Sequence, residues 1–452
     1  MGDGELRREH DFILNYLKIV DWKGNEYDFT AHYIEFTYEE SIFTVPHGTL
    51  VAMDAIDYPT LLPIIGEERM KASFTRPDEK KLGDNLPDLK FDLHVYALTG
   101  KHQDQGSRKR QVYNLKYISD APIKSVNTRV FKAYKGKLYS DMVQEIYDEF
   151  ITDGKPLEIE KTLHEMDYVV NNEKPFNAIK KMCQRSISDE QNGSMYTFYE
   201  DRDKFYFMSL GKMFDRPVTT TISYEPKNIN KDTPALEHKT KDLERDMYNV
   251  SQMSNGDGFD ILHSAMSGEG SSNLLSINPI RRKFIEKTFD LREEYDSFKH
   301  IEKNKKWSDK NKMFGDKKSN PLMIVSNIGN DTAPYISDHE PGIKPYFFEE
   351  YKLHRLSQKM QISKHITKVT LSGDPRVKAG DMIEFLLPEA LGKTNIDEPE
   401  ELDRYLQGKY LVAAVAHIMK QNSYTIHLEL LKDSYFKELL NRDPVEEYEG
   451  KF

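Results

Sequence analysis

The chain has 452 residues, of which 31% are charged, with a formal net charge of −11 and a single cysteine. That length suits roughly two to four domains with their own cores, and one thiol excludes an internal disulfide. The acidic balance argues against a surface that grips nucleic acid over most of the chain.

No run approaches the roughly 18 apolar residues of a membrane span. Met1 to His10 is charged and lacks the apolar core of a signal peptide, so a cytosolic origin is expected. From Phe12 to Asp120 the signals are mostly β. Phe29 to Tyr38 and Ser41 to Val45 are rich in aromatic and β-branched residues. Leu89 to Ala97 alternates apolar with polar, and Gln111 to Ile118 closes the set. Short strands with turns between them favour a barrel or a sandwich.

The middle changes character. Ser140 is read as the N-cap of a helix carrying Met142, Val143, Ile146, Tyr147, Phe150 and Ile151 on one stripe, stopped near Gly154. A second helix is expected from Pro175, with Phe176, Ile179, Met182, Cys183 and Ile187 at helical spacing. Cys183 reads as a small core residue. Tyr196 to Tyr199 and Lys204 to Met208 form a hairpin about Glu200-Asp201-Arg202-Asp203. Leu236 to Gln252 reads as helical, and so does Phe347 to Gln361. Lys299 to Asp338 reads as a flexible loop whose first part is a basic, solvated tract. Near the end, Gly373-Asp374-Pro375-Arg376-Val377-Lys378-Ala379-Gly380-Asp381 punctuates three strands, Met382 to Leu387, Gly408 to Ile418 and Tyr424 onward. No repeat of fixed period is visible.

Reaction chemistry is sparse. There is no Walker loop and no dinucleotide fingerprint. His417 and His427 sit on adjacent expected strands and would meet across a hairpin, yet two histidines fall short of the roughly four ligands of a closed zinc site. The aromatic hairpin suits either stacking on bases or sugars or, more economically, packing on the preceding helices. No catalytic residue, metal ligand or cofactor-binding residue is assigned, and the chain is not read as an enzyme.

Three segments carry a family resemblance: the C-terminal strands; Lys174-Pro175-Phe176-Asn177-Ala178-Ile179 with Tyr196 to Glu200 and Phe205 to Leu210; and Pro63-Ile64-Ile65-Gly66-Glu67-Glu68 after Gly48 and Asp54. In that order they resemble the baseplate central hub proteins of contractile-tailed bacteriophages. The resemblance implies an α+β, mainly β fold. A first β-barrel covers 1–122 and an α/β connecting domain 123–212. A segment joining the second barrel covers 213–254, and 255–345 continues the connecting domain with the loop at 299–338. The second barrel covers 346–440 and an acidic tail 441–452.

It also implies a homotrimer whose six barrels form a ring. Such a ring joins a central spike to a tail-tube or tube-initiator protein, with tape-measure and baseplate-wedge proteins as further partners. It acts in the virion after assembly in the host cytoplasm, without membrane contact and without a cofactor. DNA passes through such a ring without specific binding. Acids crowd Asp21 to Asp57 against one base, Lys23, so Glu35 and Glu39 are candidates to face the lumen. Strand alternation puts Glu40 on the other face. The competing reading is a carbohydrate-binding or glycan-degrading β-protein.

Overall fold

The computed structural model describes residues 10–62, 64–76, 87–103, 110–152, 154–163, 165–190, 193–224, 247–256, 259–278, 283–314, 323–327, 348–364, 366–388, 402–403 and 405–439. The N-terminal strands are β1 (Ile13–Val20), β2 (Glu26–Asp28), β3 (Tyr33–Ser41), β4 (His47–Asp54), β5 (Arg69–Thr75), β6 (Leu89–Gln103) and β7 (Gln111–Ile118). Their period-two pattern explains them. In β7 Tyr113, Leu115 and Tyr117 are buried while Asn114 and Lys116 are only partly covered. The middle adds β8 (Val130–Lys137), β9 (Leu157–Ile159), β10 (Met166–Glu173), β11 (Tyr196–Glu200) and β12 (Phe205–Ser209). The remainder adds β13 (Val218–Ser223), β14 (Gln252–Asn255), β15 (Ser271–Asn278), β16 (Lys283–Asp290), β17 (Met323–Asn327), β18 (Ile366–Ser372), β19 (Met382–Leu386), β20 (Gly408–Lys420) and β21 (Ser423–Leu431).

The fold is mainly β with helices. One 13-stranded sheet runs β14-β18-β21-β20-β3-β4-β7-β6-β5-β1-β2, with β13 and β19 attached through β20. Among the described residues its strand pairing follows an open path from β14 to β2. Its N-terminal and C-terminal strand sets meet at β3 and β20, antiparallel, from Glu35 opposite Lys420 to Ser41 opposite Ala414. One apolar core runs beneath both sets, from Leu17, Phe36 and Tyr117 to Val415, Ile426 and Leu430.

The two sets repeat one strand order. The hairpin β6–β7 is matched by β20–β21, and β5 lies on β6 as β19 lies on β20. β4 lies on β7 as β18 lies on β21, and β3 on β4 as β14 on β18. Each long hairpin strand has a one-residue bulge at the same place, between Val95 and Ala97 and between Val412 and Ala414. The strand beside each, β5 or β19, is preceded by the same carboxylate-closed turn. Glu68 accepts from the Ile65 amide at 2.9 Å while its carbonyl accepts from Val95. Asp381 accepts from the Lys378 amide at 3.0 Å while its carbonyl accepts from Val412. The edges differ: β1 runs antiparallel to β5, whereas β13 runs parallel to β19.

The middle has its own core. Helices Tyr139–Ile146 and Pro175–Cys183 pack Met142, Ile146, Ile179 and Met182 on Phe205 and Phe207 of β12. Pro175 opens its helix, where its missing amide hydrogen costs nothing. The Ser140 cap is corrected. Leu138 precedes the helix, and the Ser140 hydroxyl lies by buried Thr162, so it does not close the first turn. The helix runs on through a wider π-type turn, Tyr147–Ile151. Strands β15, β16 and β17 form a separate sheet with helix Phe348–Lys364 beside it.

The basic tract is corrected over 299–314. Ile301, Trp307 and Met313 are buried there, and the chain bridges to Tyr435 through Asn304. The ammonium of Lys306 donates to the Lys432 carbonyl, and burial holds its pKa well below the ordinary lysine value. Of the helix expected over Leu236–Gln252, residues 236–246 lie outside the described residues. So do 315–322 and 328–338 of the expected loop.

Candidate assembly seam between the two strand sets

Alternation along β3 sorts its acids. Phe36, Tyr38 and Glu40 are buried, while Glu35 and Glu39 share the opposite, open face. On that face the Lys420 ammonium lies 3.4 Å from Glu35 and the His47 ring 3.5 Å from Glu39. A trough of about 860 Å³ crosses the seam there, lined by Glu39, His47, Lys368, His427 and Glu429. His417 and His427 do not meet. His427 stands opposite Ala416, so its ring points to the open face while His417 points into the core. The His417 ring pairs with the Tyr424 hydroxyl at 2.8 Å, and burial keeps its pKa well below the usual value.

Beneath the seam lies an ionic cluster that motif reasoning did not find. Glu40 has no exposed surface, and its carboxylate sits 3.1 Å from the Arg202 Nε. Arg202 belongs to the β11–β12 turn. Its guanidinium donates to the Pro375 carbonyl at 2.9 Å and the Val377 carbonyl at 3.1 Å. The Ala379 amide donates to Glu40 at 3.4 Å, and Lys378 pairs with Asp203 and lies 3.6 Å from Asp201. One arginine thus ties β3, the middle hairpin and the 373–381 turn together. Burial pushes the Glu40 carboxyl up to about 7, against the pull of Arg202. Arg202 keeps its charge. Burial opposes that charge, and Glu40 and Tyr38 outweigh the burial.

The turn itself is fitted to its surroundings. A Cβ on Gly373 would meet the Tyr424 ring at 2.1 Å, and one on Gly380 would meet the Tyr199 hydroxyl at 2.2 Å. Gly380 also has φ +86°, a left-handed conformation that favours glycine. Asp374 is held by Arg376, which donates at 2.8 Å to Tyr248.

The rest of the hairpin is core. Tyr196, Tyr199, Phe205, Tyr206 and Phe207 are buried, so no stacking platform is open. Glu200 is buried and accepts from Ser119 at 2.7 Å and Lys155 at 2.6 Å. Glu160 is likewise closed by Ser188 and Ser209. The Cys183 thiol is buried and raised to about 12 by that burial, which suits packing and not reactivity. No group of three or more His, Cys, Asp or Glu side chains is placed to hold a metal ion among the described residues. No helix among them is long and apolar enough to cross a membrane. The buried carboxylates of Glu40, Glu160 and Glu200 are thus met by cations, hydroxyls and amides, an arrangement that fixes shape.

Comparison with known proteins points the same way. No protein-family model matches the chain. A probable baseplate hub protein, gp334, of the Vibrio phage KVP40 is 24% identical over 310 residues, 67% of this chain and 67% of that protein. The tail protein from Neisseria meningitidis shares the fold, with a TM-score of 0.52 at 8% identity over 93% of this chain and 97% of that one. The 43 kDa tail protein of prophage MuSo2 from Shewanella oneidensis shares it too, with a TM-score of 0.53 at 8% identity, covering 93% of this chain and 99% of that one. In sequence and in fold the chain is therefore similar to phage baseplate hub and tail proteins.

Proposed function

We propose that this chain is a structural hub of a phage tail baseplate and carries out no chemistry. The observation that carries the reading is the repeated strand order of the two sets, joined in one sheet. A chain that presents the same unit twice can meet both three-fold and six-fold partners. The sequence similarity to a probable baseplate hub protein supports the same role. In this reading three copies form a ring with pseudo-six-fold symmetry. Each strand set is one tube-like barrel of that ring. The ring joins a central spike to the tail tube or its initiator, contacts tape-measure and wedge proteins, and resides in the virion tail. DNA crosses it along an axis that Glu35 and Glu39 keep acidic.

The test is mass in solution. Light scattering of the full chain, alone and with its spike protein, is expected to give a trimer. A strict monomer under both conditions overturns the hub reading.

A further inference from the structure

The middle of the chain carries a surface that the hub reading leaves unused. Strands β8 and β10 form a two-stranded sheet with one dry face, where Val130, Tyr134 and Val170 join the core of the helices. Alternation turns Phe131, Ala133 and Lys135 to the opposite face, and they are exposed, as is Arg129 just before the strand. Val169 stands opposite Ala133 and so lies diagonally beside Phe131. Phe131 is 76% exposed and Val169 60%, with Val126 of the helix Asp120–Asn127 at 57%. Single exposed apolar residues are ordinary on a protein surface, whereas neighbours on one sheet face mark a contact.

The charge around them has one sign. Between Ala121 and Ser140 the chain holds Lys124, Arg129, Lys132, Lys135 and Lys137 and no carboxylate, in a protein whose net charge is −11. Lys132 and Lys137 are taken up by Glu145 and Glu149. Arg129 and Lys135 make no ion pair among the described residues. Lys124 donates to the Thr152 carbonyl, which leaves its charge uncancelled. Lys174 adds a cation at the Arg129 end, because Glu173 before it stands opposite Val130. Glu165 and Asp167 lie at the other end, beside Gly136.

We propose that this face docks on an anionic lipid bilayer, with Phe131, Val169 and Val126 in the headgroup layer and Arg129, Lys124 and Lys174 on lipid phosphates. The contact goes beyond the hub reading, which expects no membrane contact, and does not depend on it. The chemistry favours lipid over other anionic partners. Stacking on nucleic-acid bases calls for aromatic groups, and two of the three apolar groups here are valines. The core of a protein interface is depleted of charge, whereas here Arg129 lies two residues from Phe131. Apolar side chains amid cations suit a surface that lies on a membrane without crossing it. The net charge of the chain does not prevent this, because charges beyond about 8–10 Å are largely screened at moderate salt.

Vesicle sedimentation with the full chain tests it. The chain is expected to pellet with vesicles of phosphatidylglycerol and phosphatidylethanolamine and to stay in solution with vesicles of phosphatidylcholine. Binding should fall as salt rises. Phe131→Asp, and separately Arg129→Glu with Lys124→Glu, are each expected to lower the bound fraction by roughly tenfold or more. Leu262→Asp, at an apolar position elsewhere that is 77% exposed, is the control and should leave it unchanged. Equal pelleting with both kinds of vesicle, or binding that survives the Phe131 and cation variants, overturns the inference. A chain that pellets with neither overturns it too and leaves the face to a protein partner. Light scattering of the same samples keeps the two readings apart. Trimers that ignore the vesicles sink the lipid contact alone, and monomers that bind them sink the hub alone.

Discussion

The two strand sets share an order of pairing but not a fate. In the C-terminal set the turn before the long hairpin is roofed by the β11–β12 hairpin, with Arg202 holding its carbonyls. In the N-terminal set the matching turn is closed by Glu68 in the same way, yet its outer side is open and Ile65 is largely exposed. Likewise the long strand β20 has β3 along its second half, whereas the second half of β6 pairs only with β7 among the described residues. The difference teaches that one unit of the repeat is finished within the chain while the other is left incomplete.

The harshest way to break the comparison is to remove the clamp that only one set has. Arg202→Met leaves Glu40 buried and unpaired, and breaking a buried pair typically costs about 3–5 kcal/mol. Adding Glu40→Leu removes the stranded charge and is expected to restore most of the loss. Denaturant unfolding followed by circular dichroism checks both. A loss for Arg202→Met no larger than for an exposed arginine would show that the clamp holds nothing.

The paired turns give a finer test. Gly66 has φ +94° with no atom closer than 4.0 Å to an added Cβ, so Gly66→Ala carries only the left-handed cost of about 1–2 kcal/mol. Gly380→Ala carries that cost plus a collision with Tyr199 and the nearby Arg216, adding about 1–3 kcal/mol. Equal losses from the two substitutions would mean that the roofed turn relaxes as freely as the open one.

Much of this was legible locally, and what was not is long-range. The alternation in β7 and the Pro175 helix follow from period and backbone chemistry, which neighbouring residues decide. The β11–β12 hairpin was readable for the same reason. The seam pairs residues almost 400 positions apart, and no local pattern says that β3 should choose β20. The repeat is invisible as a period because β14 and β18 are separated by an insertion, whereas β3 and β4 are adjacent. Arg202 and Glu40 looked like surface residues by type, and only their mutual burial makes them a clamp. Lys306 misled in the same way, as a lysine in a basic run whose ammonium is taken up by a carbonyl.

Acidity probes the clamp without mutation. Glu40 is held near 7 by burial, above its ordinary value of 4.5, so the folded state binds its proton more readily than the unfolded chain. Its contribution is fully present below about pH 4.5 and is lost as pH rises through about 7. Over that window it lowers stability by at most about 1.4 kcal/mol per pH unit. Comparing the protein with Glu40→Gln isolates this slope from the other carboxylates. The variant is expected to lack it, and parallel curves for the two proteins would place the proton elsewhere.

The smallest effect on stability belongs to the open face, and there the two acids separate folding from function. Glu35 faces Lys420, and Glu39 faces His47, in partly exposed pairs that are usually worth about 0–1 kcal/mol. Glu35→Gln with Glu39→Lys should therefore leave unfolding almost unchanged. If the face lines a DNA channel, the same change exchanges repulsion for attraction. Attraction to phosphate is steeply salt-dependent, because binding releases counterions. The assembled variant is then expected to retain double-stranded DNA at low salt and release it as salt rises, while the parent protein retains none. Equal retention by the two assemblies would move these acids off the channel wall and leave them as solubilising charges on the outside of the ring.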